Sequence, residues 1–141
     1  MFSKQKKLLV SVLICFVFPH FASAQTDVKV GDSLTIGSCS SKEFGFLHID
    51  KVVKTRWVDR GLTYDTATGD GFYFYFFNEG DVDSRRLPCD YEGRKFRIAS
   101  MDYYKKEGGG KRLVMLGQID NERTVLWIEV DEAIRTKELT L

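Results

Sequence analysis

His48 and Asp50 stand two residues apart in Phe46-Leu47-His48-Ile49-Asp50. In an extended strand that spacing puts both side chains on one face. A histidine oriented by a carboxylate is the core of a general-base device. The nucleophile is the missing part: Ser33, Ser38, Ser40, Ser41, Ser84 and Ser100 are available, but none sits in a G-x-S-x-G elbow. A lone histidine on a strand is more often structural, so no catalytic residue is assigned and no enzyme is expected. A small hydrolase using His48 stays as an alternative.

Oxygen ligands that suit calcium occur as Asn78, Asp81 and Asp83, and again as Asp65 and Asp70. Neither group has EF-hand spacing. Turn chemistry accounts for both, because Asp and Asn cap their own backbone. Gly108-Gly109-Gly110-Lys111 lacks the spacing of a phosphate loop and is followed by Arg112, so it reads as a hairpin tip. No metal and no cofactor is expected.

Two cysteines carry a different chemistry. Cys39 and Cys89 are the pair left once Cys15 is set aside with the N-terminal segment. They are too far apart for a redox C-x-x-C motif, and an exported domain would oxidise them to a structural disulfide. Closing a loop of about 50 residues stabilises a fold by roughly 4 kcal/mol.

The aromatic residues are the other resource. Phe72 to Phe77 are six aromatics in succession, and Tyr64, Tyr91, Tyr103, Tyr104, Trp57 and Trp127 add to them. High β propensity predicts a strand here. Period-2 geometry then places Phe72, Phe74 and Phe76 on a core face, with Tyr73, Tyr75 and Phe77 opposite. Tyr offers large area with a polar tip at low entropy cost. Tyr73, Tyr75, Tyr103 and Tyr104 are therefore the expected binding contacts.

The elements that would position these residues are mostly strands. Ser33–Ser40 alternates, and Phe44–Val58 is long and β-branched enough for one bent strand or two. Arg60–Gly71 carries turn signals, and Asn78–Pro88 reads as a polar loop. Arg94–Tyr104 alternates, with Phe96 and Ile98 on one side and Ala99 and Met101 on the other. Leu113–Ile119 and Thr124–Val130 should pair across Asp120-Asn121. Asp131 is placed to cap a short helical turn. Leu139–Leu141 reads as a returning edge strand. The fold class is all-β: one small antiparallel barrel or sandwich of about six or seven strands with a short C-terminal helical turn.

Residues 1–24 read as a cleaved signal peptide: Lys4, Lys6 and Lys7, an apolar run from Leu8 to Phe18, then Ala22-Ser23-Ala24. The run is too short to span a bilayer as a helix, so no stable membrane span is expected after cleavage. Residues 25–32 form a flexible lead and 33–141 the β-rich domain. Cleavage removes three of the 21 basic residues and none of the 20 acidic ones, leaving 18 against 20, a net −2. That balance excludes a basic nucleic-acid footprint. Cys15 and His20 leave with the same segment, and the one histidine and two cysteines that remain exclude Cys₄ and Cys₂His₂ zinc sites.

The reading is an exported domain, periplasmic or secreted, that binds another protein in the cell envelope or outside the cell. An inhibitor or immunity factor for an envelope-acting enzyme is a special case of it. The alternative is a β-barrel that binds a glycan, a lipid or a small ligand.

Overall fold

The computed structural model describes residues 27–58, 60–77, 81–120 and 123–141. The segment expected as a signal peptide lies outside them.

Seven antiparallel strands form one curled sheet, a half-barrel rather than two stacked layers. They are β1 (Ser33–Ile36), β2 (Ile49–Lys54), β3 (Val82–Arg86), β4 (Lys95–Lys105), β5 (Lys111–Gln118), β6 (Thr124–Glu129) and β7 (Leu139–Thr140). Their order across the sheet is β3-β2-β6-β5-β4-β1-β7. Two short helices, α1 (Phe72–Phe77) and α2 (Val130–Arg135), and a 3-10 turn at Cys89–Tyr91 complete the fold. Among the described residues, no helix is long and apolar enough to cross a membrane.

The central strands β5 and β6 follow directly from sequence. Both are apolar on both faces, and such strands belong between two covering layers. Met115, Leu126 and Ile128 pack on one side with Ile36, Phe46, Ile49, Phe96 and Ile98, under α2 through Val130 and Ala133. Val114, Leu116 and Val125 pack on the other with Val52, Ala99, Phe72 and Phe76. The sheet therefore carries two cores, one on each face. β4 and β5 join through the triglycine hairpin, closed by Lys106 N–H donating to the Gly110 carbonyl at 3.1 Å. β5 and β6 pair as the expected hairpin, and β7 returns as an edge strand on β1. Gly31 N–H donates to the Ile98 carbonyl at 2.8 Å, and Ile98 N–H to the Asp32 carbonyl at 2.9 Å. The end of the lead is thus fastened to β4.

The aromatic run Phe72–Phe77 is a helix, not the expected strand. A strand can join a sheet only at an edge, whereas a helix can lie over a face, and the face formed by Val52, Val114, Leu116 and Val125 needs cover. Phe72 and Phe76, four apart on one side of the helix, supply it. Local chemistry allows the switch. Gly69 adopts φ +79°, and a Cβ there would lie 2.5 Å from the Ala99 carbonyl oxygen. The chain therefore turns tightly against β4 just before the helix.

Four smaller expectations are corrected too. Part of Asn78–Pro88, read as a loop, is β3, because Val82–Arg86 gains a complete ladder from β2. Phe44–Val58 yields only Ile49–Lys54 as strand, since residues 47–48 bend. A register shift between Ile98 and Ser100 puts Met101 with Phe96 and Ile98, away from Ala99. Such a bulge reverses the alternation beyond it. Asp131 lies inside the first turn of α2 and does not cap it; Glu129 holds the cap position, without a side-chain bond.

Candidate functional site

Cys39 and Cys89 form a disulfide with Cα atoms 5.3 Å apart. It ties the segment after β1 to the 3-10 turn. Asp65 caps its own turn, accepting from Ala67 N–H at 2.8 Å and Thr68 N–H at 3.2 Å. Asp83 lies on β3, and the Asp81 carbonyl accepts from Thr55 N–H. Asn78 lies outside the described residues. Among the described residues, no three His, Cys, Asp or Glu side chains gather as metal ligands.

His48 occupies the bend before β2. Asp50 does not orient it: that carboxylate accepts from Arg86 at 3.0 Å. The nearer acid is Glu129, with Oε2 3.8 Å from His48 Nδ1 while Oε1 accepts from Arg112 at 2.7 Å. The bend is held from below by Glu138, a fully buried residue that sequence reading passed over. Its carboxylate accepts from Leu47 N–H at 2.6 Å and His48 N–H at 2.8 Å. Beside Glu129, a cavity of about 200 Å³ is lined by Lys106, Arg112, Leu113, Asp131 and Glu132. Arg135 donates to Glu132 and adds its charge, holding that carboxyl below the usual range. Arg112 and Arg135 thus each pair with one carboxylate of the site, Glu129 and Glu132.

The aromatic face is built differently. Phe72 and Phe76 anchor α1, so Phe74 turns outward and is 67% exposed, with Tyr73 edge-on beside it and 41% exposed. Tyr73 stacks on Phe77 at 4.7 Å and leans toward Tyr104 at 6.3 Å. Tyr104 in turn packs on Trp127 at 5.2 Å. Burial, and then the nearby Asp102 and Tyr73, raise the Tyr104 phenol above its ordinary pKa. Tyr75 is half-buried between Tyr64 and Trp57. Tyr103 pairs with Leu113 and faces the opposite side of the sheet. Of the four expected tyrosines, the structure brings together Tyr73 and Tyr104. It adds Phe74, which a strand reading had buried.

Lys54 underpins this face. It is 2% exposed, its ammonium donates to the Phe76 carbonyl at 2.7 Å, and it lies 4.3 Å from the Trp57 ring centre. A cation at the last carbonyls of a helix satisfies groups that the helix itself leaves open. Burial lowers its pKa. The only sequence sign of its role was a lysine ending an apolar-alternating strand.

Comparison with protein-family models, with curated proteins and with solved structures finds no match to this chain.

Proposed function

We propose that the domain is an exported binding module that recognises another protein through the aromatic corner of Tyr73, Phe74 and Tyr104. The observation that carries this reading is Phe74, two-thirds exposed on a helix whose neighbouring turn is locked into the core. An aromatic ring on a rigid base loses little conformational freedom on binding and buries a large area, the properties of an interface anchor. The disulfide is compatible with an oxidising compartment. The cavity beside Glu129 and the one near Phe44 are lined mainly by charged and polar groups, which favours a protein over a lipid or an apolar ligand.

The test is capture from an envelope extract by the wild-type chain and by Phe74→Ala, Tyr73→Ala and Tyr103→Ala variants. Tyr103 is the control on the opposite face. Loss of one partner with the first two changes and its retention with the third supports the reading. Identical capture by all four chains refutes it. A captured hydrolase whose activity falls on binding would be the inhibitor or immunity-factor form of this role.

A further inference from the structure

β3 is the terminal strand of the sheet, so its outer edge has no strand partner among the described residues. Leu87 N–H donates to the Ile49 carbonyl and Thr55 N–H to the Asp81 carbonyl. With the register Asp50↔Arg86 to Lys54↔Val82, Asp83 and Arg85 turn their backbone groups toward β2. Val82, Ser84 and Arg86 therefore point their N–H and C=O groups outward. Every residue of β3 is exposed.

An exposed edge is usually protected by charged side chains, proline, a bulge or a covering element. Here the charges are Asp83, Arg85 and Arg86; Arg86 pairs with Asp50 of its own chain, and Asp83 and Arg85 flank Ser84 symmetrically. Two copies of Val82-Asp83-Ser84-Arg85-Arg86, paired antiparallel with Ser84 opposite Ser84, set each Asp83 directly across from the other copy's Arg85. The same register matches outward backbone groups along the whole strand. Within one chain, Arg85 stands across from Lys51, a like charge. Among the described residues neither Asp83 nor Arg85 has an ion-pair partner. A two-fold interface is by nature self-complementary, and this strand meets that condition in both charge and hydrogen bonding.

We propose that the chain forms a two-fold dimer by antiparallel pairing of β3 edges, giving one continuous fourteen-stranded sheet. Cross-strand neighbours share a face, and Ser84 lies opposite Val52 of the aromatic side. Both α1 helices thus fall on the same side of the joined sheet, so a dimer presents two aromatic corners together. The dimer does not depend on what those corners bind.

Sedimentation equilibrium of the purified chain, from micromolar to millimolar, should show a monomer–dimer equilibrium that weakens with salt. Ser84→Pro removes an outward N–H and leaves the β2–β3 ladder intact, so it should abolish the dimer while thermal unfolding of the monomer changes little. Arg85→Asp opposes like charges twice and should weaken the dimer about tenfold or more. Adding Asp83→Arg to it restores opposite charges and should restore the dimer. A chain that stays monomeric at millimolar concentration overturns the proposal. So does a dimer indifferent to Ser84→Pro, or a charge reversal that the double change fails to rescue.

Discussion

Replacing Glu138 by Gln is the sharpest test of how the His48 bend is held. The side chain is fully buried, and its two oxygens accept separately from the Leu47 and His48 amides at 2.6 and 2.8 Å. An amide has the same shape but only one acceptor oxygen. Its NH₂ must then face one of the two backbone donors, leaving that donor buried and unpaired. A hydrogen bond to a charged group contributes about 1.5–3 kcal/mol, and an orphaned buried donor costs a comparable amount. The expected loss is about 3 kcal/mol, a large share of the usual 5–15 kcal/mol. For a domain of this size that is a fall of roughly 12 °C in Tm. Urea unfolding at constant m-value measures it, and hydrogen exchange at Leu47 and His48 locates it. Faster exchange should be concentrated at those two amides, with β5 and β6 exchanging only as fast as the global loss dictates. A Glu138→Gln variant within about 0.5 kcal/mol of wild type would refute the claim that both oxygens are needed.

Gly117→Ala should cost about 1–3 kcal/mol, because the added Cβ would lie 2.4 Å from Cδ2 of the buried Phe96 ring. A smaller Phe96→Leu partner should recover part of that loss in a double-mutant cycle. Reducing the Cys39–Cys89 disulfide should lower stability by roughly 4 kcal/mol, read as a drop in the denaturation midpoint with dithiothreitol. Lys54 gives a pH signature. Its folded pKa is lowered, so just below the ordinary value of about 10.4 the unfolded chain binds more protons and stability rises with pH. Lys54→Met should remove that rise, so the stability of the variant relative to wild type should fall as the pH climbs toward the ordinary lysine value. The raised Tyr104 acts with the opposite sign: above about pH 10 the folded chain keeps its proton longer, and stability falls.

Strand content was legible wherever a strand's own residues decide its partner. β4, β5 and β6 carry long β-branched or alternating runs joined by short turns, and the pairing follows from that alone. The disulfide was legible because Cys39 and Cys89 are the two cysteines that lie beyond the apolar N-terminal run holding Cys15, which leaves one pairing. β3 was not, because Val-Asp-Ser-Arg-Arg has no apolar face and becomes a strand only through the ladder that β2 offers. Glu138 was invisible for a related reason. Its partners, Leu47 and His48, are some ninety residues away in sequence, and a carboxylate on a polar tail looks like any solvated one until the fold closes over it. A similarly long separation hid the approach of His48 to Glu129 in place of Asp50.

The aromatic helix shows why secondary structure changes the functional residue and not just its label. A strand over Phe72–Phe77 would bury Phe74 between Phe72 and Phe76 and expose Tyr75. The helix reverses both: Phe74 faces solvent, and Tyr75 is held by Tyr64 and Trp57. Propensity favours the strand, but six residues of local preference compete with the apolar face of four strands that would otherwise meet water. Burying Phe72 and Phe76 there contributes roughly 1.5–3 kcal/mol for each ring, more than the strand preference of the segment spans at any one position. Lys54 then holds the helix end through the Phe76 carbonyl. The outward ring at Phe74 is thus a consequence of covering the sheet: once Phe72 and Phe76 point in, the intervening residue on so short a helix has nowhere to go but out.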